Sequence, residues 1–277
     1  MNFENLLCMC FYYAVVKTNA KTLIKNGIIK EEQLSLFPDK QFVKGFDYPV
    51  MPVISNENPA LIQMFRWGFV PPHTQNTEKA DAFLKQYNTL NAKAENLFES
   101  RLFADAVRKQ RCLVLCSGFF EWRHKNPEKK TSEKYPFYVS LKDEGMFVFG
   151  GIWEKFTDQK TGEIIHTYAI ITTQANELME IVHNTKKRMP LIIEPENALK
   201  WLDPNLSDDE IKSFFKPFDS DKLKATPIKK INPHLLYEND PGITVYYHYQ
   251  ELSAMIEQYP QYFEKSVDLR GGAPTLF

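Results

Sequence analysis

The chain has 277 residues, 43% hydrophobic and 14% aromatic, enough for one large packed core or two small ones. Thirty-four Lys and Arg against 35 Asp and Glu leave a net charge of −1, so nothing global draws it to a polyanion and any nucleic-acid site must be a local patch. Four cysteines (Cys8, Cys10, Cys112, Cys116) do not make a disulfide framework, the last two lack the partners of a zinc site, and no apolar run is long enough to span a bilayer.

The segment 1–9 holds Glu4 and no Lys or Arg, which makes a poor secretory signal, and the chain reads as cytoplasmic. Apolar runs predict strands at 12–16 and 63–70, with a helical pattern at 20–26. Pro71-Pro72 marks a breaker-rich link at 70–77. A helix is expected at 100–109, one long strand at 112–122, a loop at 125–134, and strands at 137–141, 146–156 and 166–173. Helices are expected at 175–181, 195–202, 207–215 and 251–259, with a short strand at 191–193. Ser207 with Glu210 three residues on forms a capping-box signature. Strands and helices mix without a regular alternation, which favours α+β over a doubly wound parallel sheet.

Met9-Cys10-Phe11 reads like the true start of a protein. A chain begun at Met9 and stripped of it, or cut before Cys10, would carry a thiol and a free α-amine on one residue. That pair condenses with an aldehyde to a five-membered thiazolidine. Reference pKa values of about 8.5 and about 7.7–8.0 leave a useful fraction of each nucleophile deprotonated near neutrality. Glu121 lies within an apolar run, where desolvation raises a carboxyl pKa and suits it to acid/base work; solvent exposure or a pair with Arg123 is the equal alternative. His183 follows an apolar helical stretch and precedes a basic cluster; a lone histidine is more often structural than catalytic. Trp67 and Phe69 flank a Gly turn, where aromatics either stack unpaired bases or fill the core. Arg108-Lys109-Gln110-Arg111, Lys129-Lys130 and Lys186-Lys187-Arg188 are the basic clusters from which a polyanion patch could be built.

Taken in order, these pieces form a pattern. Met9-Cys10, Trp67-Gly68-Phe69-Val70-Pro71, Asn91-Ala92-Lys93-Ala94-Glu95, Gly118-Phe119-Phe120-Glu121-Trp122, Phe149-Gly150-Gly151-Ile152-Trp153-Glu154, Thr172-Thr173-Gln174-Ala175-Asn176, and His183 with Arg188-Met189-Pro190 resemble the SOS-response-associated peptidase (SRAP) family, and 226–232 continues the likeness. The resemblance implies a single α+β domain with a barrel-like, mostly antiparallel β core flanked by helices, and no metal or organic cofactor. It implies abasic-site processing on single-stranded DNA by a monomeric cytoplasmic protein, nucleoid-associated when bound to DNA. Cys10 would be the nucleophile, Asn91 would hold the amine and the opened sugar, Glu121 would move protons, and His183 would assist ring opening and reversal. Trp67, Phe69, Lys93 and Arg188 would line the DNA path. The implied division is a leader or misassigned start at 1–9, the SRAP-like domain at 10–265, and an irregular tail at 266–277. The peptidase name would suit self-removal of the leader.

The chain departs from the pattern in three places. Phe11-Tyr12 stand where relatives carry Gly-Arg, Lys93 stands where Arg is common, and His183 and Arg188 are five apart rather than two. Two other functions fit some of these residues: a cysteine-dependent peptidase using Cys116 or Cys10 with His183, and a non-catalytic single-strand nucleic-acid binder.

Overall fold

The apolar run expected as one strand at 112–122 is broken at Ser117, and the break separates two sheets. The computed structural model describes residues 10–129, 131–232, 237 and 239–263. Strands β1 (Tyr12–Val15), β2 (Lys40–Lys44), β3 (Val50–Ser55) and β4 (Gln63–Trp67) come first, with helix α1 (Lys21–Lys25) after β1. Then come α2 (Thr77–Gln86), β5 (Asn91–Lys93), α3 (Ala104–Lys109), β6 (Arg111–Cys116) and β7 (Gly118–His124). Next are β8 (Lys134–Leu141), β9 (Phe147–Thr157), β10 (Ile164–Gln174), α4 (Glu177–Val182), β11 (Arg188–Pro190) and β12 (Ile192–Ile193). Helices α5 (Ala198–Trp201) and α6 (Asp208–Ser213), strand β13 (Leu223–Pro227) and helix α7 (Ser253–Gln258) follow.

Five strands close a barrel in the order β10-β4-β3-β6-β9, with β9 returning to β10 through seven register pairs from Ile164↔Thr157 to Ile170↔Gly151. Its one parallel seam is β4–β10, with Trp67 opposite Tyr168; the other seams are antiparallel. Closure removes the edges that an open sheet exposes. A barrel this small needs strands to approach closely. A Cβ on Gly151 would come within 2.9 Å of Cys112 Sγ and 3.0 Å of the Ala169 carbonyl. Short β5 runs parallel to β10 along the same edge as β4, further along the strand, with Asn91 opposite Ile170 and Lys93 opposite Thr172. The resulting fold is α+β, with a mostly antiparallel barrel and flanking helices.

The second sheet is antiparallel, in the order β13-β8-β7-β1-β2. The chain passes between sheets at Ser117, whose N–H donates to the Ala14 carbonyl (2.7 Å) while its hydroxyl accepts from the Val16 N–H (2.7 Å). Gly118 permits the turn's far side, since a Cβ there would lie 2.3 Å from the Tyr138 ring. One apolar cluster runs through barrel and sheet together, and a smaller cluster (Ala14, Phe42, Phe120, Ile228, Ile243) covers the sheet's other face.

The sequence reading does not include strands β2, β3, β5, β11 and β13 or helix α2, and the run at 191–193 forms β12 at Ile192–Ile193. The Ser207–Glu210 capping box forms, with Glu210 N–H donating to the Ser207 hydroxyl and the Glu210 carboxylate accepting from the Ser207 N–H (2.9 Å). The basic clusters do not make an open patch. Arg111 is fully buried and donates to the carbonyls of Val107, Arg108, Trp201 and Asp203, tying α3 and α5 to β6. Arg108 pairs with Asp208, and Lys187 with Glu180. The segments 1–9 and 264–277, and Lys130 of the second cluster, lie outside the described residues.

Candidate active site

Cys10 is the residue before the β1 approach, and it is buried at 2% exposure. Its carbonyl accepts a hydrogen bond from Asn91 Nδ2 (3.2 Å), so β5 holds the end of the sheet strand. The other half of that amide, Asn91 Oδ1, is buried and accepts nothing among the described residues. A buried acceptor without a donor costs about 1–3 kcal/mol.

Glu121 is the fourth residue of β7, and β7 pairs with β1 through Tyr13↔Phe119 and Ala14↔Gly118. Running that register towards the N-terminus brings Glu121 level with the Cys10 end of β1. The carboxyl is 5% exposed, and it does not pair with Arg123, whose guanidinium donates instead to the Ile181 carbonyl. Burial raises the Glu121 pKa; the charge of nearby His183 pulls it back part of the way. Burial pushes the Cys10 thiol well above its usual value, and the Glu121 carboxylate and Cys116 push it further. A thiol so placed does not ionise unaided, so its proton must go to a neighbour, and Glu121 is a stronger base than an exposed glutamate.

His183 caps the C-terminus of α4 and is 2% exposed. Its Nδ1 lies 3.1 Å from the Arg188 carbonyl oxygen. A carbonyl only accepts, so Nδ1 carries the proton and Nε2 is the basic nitrogen of the neutral ring. Four residues from four separate stretches are thus linked, Asn91 on β5 by its hydrogen bond to the Cys10 backbone before β1, and Glu121 on β7 by its charge interactions with Cys10 and with His183 after α4. No group of three or more His, Cys, Asp or Glu positioned to hold a metal occurs among the described residues.

The four residues expected along a DNA path are placed differently. Trp67 and Phe69 are fully buried: the Trp67 indole donates to the Leu90 carbonyl (2.8 Å), and the Phe69 ring meets Phe103 edge-on. Neither ring is presented to a base, because the β4–β10 seam and the chain after it need both to fill the core. Arg188 is engaged in a two-pronged ion pair with Glu95 (2.9 and 3.0 Å), its side chain 14% exposed. Lys93 is exposed. The sequence reading missed a cleft of about 270 Å³ lined by Tyr12, Phe42, Trp122, Lys134, Pro136, Lys230 and Ile231. It opens on the face of the second sheet that turns away from Glu121, since Trp122 alternates with Glu121 along β7 and both Tyr12 and Trp122 pack against the smaller apolar cluster. The pairing of aromatics with lysines was the only sequence signal, and it is scattered over 220 positions.

The family model for SOS response associated peptidase (SRAP) matches residues 9–232. The chain belongs to this family. The match opens at Met9, directly before the buried Cys10. This SRAP chain is 32% identical over 183 residues to abasic site processing protein YoqW of Bacillus subtilis (strain 168), spanning 66% of this chain and 75% of that one. It is 28% identical over 157 residues to abasic site processing protein HMCES of Xenopus tropicalis, spanning 52% and 45%. A crystal structure of a protein from Bacteroides thetaiotaomicron aligns with a TM-score of 0.73 at 35% identity, covering 86% of this chain and 100% of that chain.

Proposed function

We propose that this protein processes abasic sites in single-stranded DNA by capturing the ring-opened sugar on Cys10. The observation that carries the reading is the linkage of the buried residues Cys10, Asn91, Glu121 and His183, with Asn91 holding the Cys10 backbone and offering an unpaired acceptor beside it. The reaction needs Cys10 as first residue; loss of residues 1–9, by Cys10 attacking the bond before it or by another route, frees the amine. Asn91 Oδ1 then accepts from that amine and aims it.

The amine attacks the aldehyde carbon, a proton is delivered to the departing oxygen, and water leaves to give a Schiff base. The Cys10 thiol loses its proton to Glu121 and its sulfur attacks the same carbon. The C=N electrons return to nitrogen, which takes a proton, and the thiazolidine closes with net loss of one water. His183, charge-coupled to Glu121, supplies the proton traffic for sugar opening and for reversal. An abasic nucleotide has no base to unstack, so its extrusion is cheap and selective.

The test is a denaturing gel. Protein beginning at Cys10 is expected to form a band with an abasic oligonucleotide that survives denaturation, and protein retaining Met9 is not. A persistent band from the Met9-retaining chain would overturn the mechanism.

A further inference from the structure

Glu95 closes the Asn91-to-Glu95 motif, yet it has no part in the chemistry above. Its place in the fold is specific. β10 lies between β5 and β11, and Thr172 is its level with both: it pairs with Lys93 on one side and Pro190 on the other. Glu95 follows β5 and Arg188 opens β11. The Arg188 guanidinium bridges over Thr172, with Nη1 and Nη2 donating to the two Glu95 oxygens and Nη2 also donating to the Thr172 carbonyl (2.7 Å) and hydroxyl (3.1 Å). The same residue's carbonyl accepts the hydrogen bond from His183 Nδ1. The turn between them is tight: Lys187 N–H donates to the His183 carbonyl (3.0 Å), and Lys187 sits at φ 50°, a conformation L-residues seldom adopt. Such a turn keeps its shape only if something beyond it is anchored.

The geometry points to Glu95 as a positioning residue that sets the tautomer of His183 through Arg188. The clamp ties the strand bearing Asn91 to the turn bearing His183, so that one carboxylate fixes both relative to Cys10. As a half-exposed ion pair it contributes little to stability, and its effect falls on geometry. The orienting step is general: the hydrogen bond made by one imidazole nitrogen decides which nitrogen is basic. The inference rests on the proposed role of His183, but its first readout needs no DNA.

The test uses ring-15N-labelled full chain beginning at Cys10. Long-range 1H–15N spectra are expected to show His183 protonated at Nδ1 in the unaltered protein and a mixture of tautomers in Glu95→Ala. Glu95→Gln, which keeps an oxygen acceptor for Arg188, is expected to retain most of the original signature. Single-turnover adduct formation is expected to fall about ten-fold in Glu95→Ala, the usual lower bound for loss of an orienting partner, with affinity for an undamaged strand within about two-fold. Should Glu95→Ala fail to fold, Arg188→Lys keeps the charge, loses the fork, and is expected to give the same ring change. Unchanged His183 signals in both Glu95→Ala and Arg188→Lys would overturn the inference. So would tighter DNA binding at unchanged rate, which would make Glu95 a competitor for a phosphate on Arg188. If the unaltered protein forms no adduct, the function fails while the ring spectra still decide the role of Glu95.

Discussion

The barrel and the second sheet each have five strands, but they do opposite work. The barrel is closed, its interior is filled by side chains, and its strands have no free edge. The sheet is open, with β2 and β13 at its edges, and it lies between the common core and a thinner apolar layer. The proposed chemistry gathers at the sheet. Cys10 enters β1 and Glu121 sits on β7, while the barrel contributes only through Asn91 on β5 and through β10, which backs the His183 turn. A closed, filled barrel has no room for a substrate, but it is a rigid frame against which a sheet end can be aimed. The proposed site therefore lies at the Cys10 end of β1, away from the Ser117 crossing at the Ala14–Val16 end.

This division can be broken by substitutions that separate rate from stability. Cys10→Ser has the largest expected effect: the amine remains, so a borohydride-trapped Schiff base persists, but no stable adduct accumulates. Glu121→Gln is expected to slow adduct formation by about 10²–10⁴-fold at unchanged DNA affinity, measured by single-turnover kinetics and titration. The same substitution tests burial. Because the folded-state pKa of Glu121 is raised, the native state favours the protonated form; the associated stability is full below the unfolded carboxyl pKa and is lost as pH rises through the folded value. Thermal melts should therefore show Glu121→Gln more stable than the unaltered protein at pH 8 and level with it near pH 4. Equal melting at pH 8 would place the carboxyl in water.

Barrel substitutions should do the reverse. Leu113→Ala, at a fully buried β6 position, is expected to cost about 2–5 kcal/mol in urea titration while leaving the adduct rate per folded molecule unchanged. Ser207→Ala, far from both, removes the α6 cap and is expected to cost about 1 kcal/mol with no effect on rate. A large rate loss from Leu113→Ala would mean that the barrel takes part in the chemistry.

What the sequence reveals follows the range of the interactions. The Ser207–Glu210 cap lies within four residues and was legible. So was Cys10, because a thiol directly after Met9 has a chemical meaning of its own. Strand β3 escaped notice because Pro52 interrupts its apolar run, and proline argues against an interior strand. β5 is three residues long and exists only because β10 pairs with it. The barrel itself depends on the β4–β10 seam, which joins Trp67 to Tyr168 and leaves no local trace. Trp67 and Phe69 read by default as core, with base stacking as the functional alternative, and the closed fold decides for core. Arg188 read as a cation awaiting an anion; the anion is Glu95, 93 residues earlier.

The most direct test of the account is the intact mass of the product formed by Cys10-initiated protein and an abasic single-stranded oligonucleotide. The account predicts a single species that survives denaturation without borohydride and equals protein plus DNA minus one water; Cys10→Ser gives only the isobaric Schiff base, which hydrolyses on denaturation unless reduced, and protein retaining Met9 gives no such stable species. A denaturation-resistant species of that mass from either control without reduction, or a product from the Cys10-initiated protein that survives only after reduction, would contradict closure of a thiazolidine on Cys10.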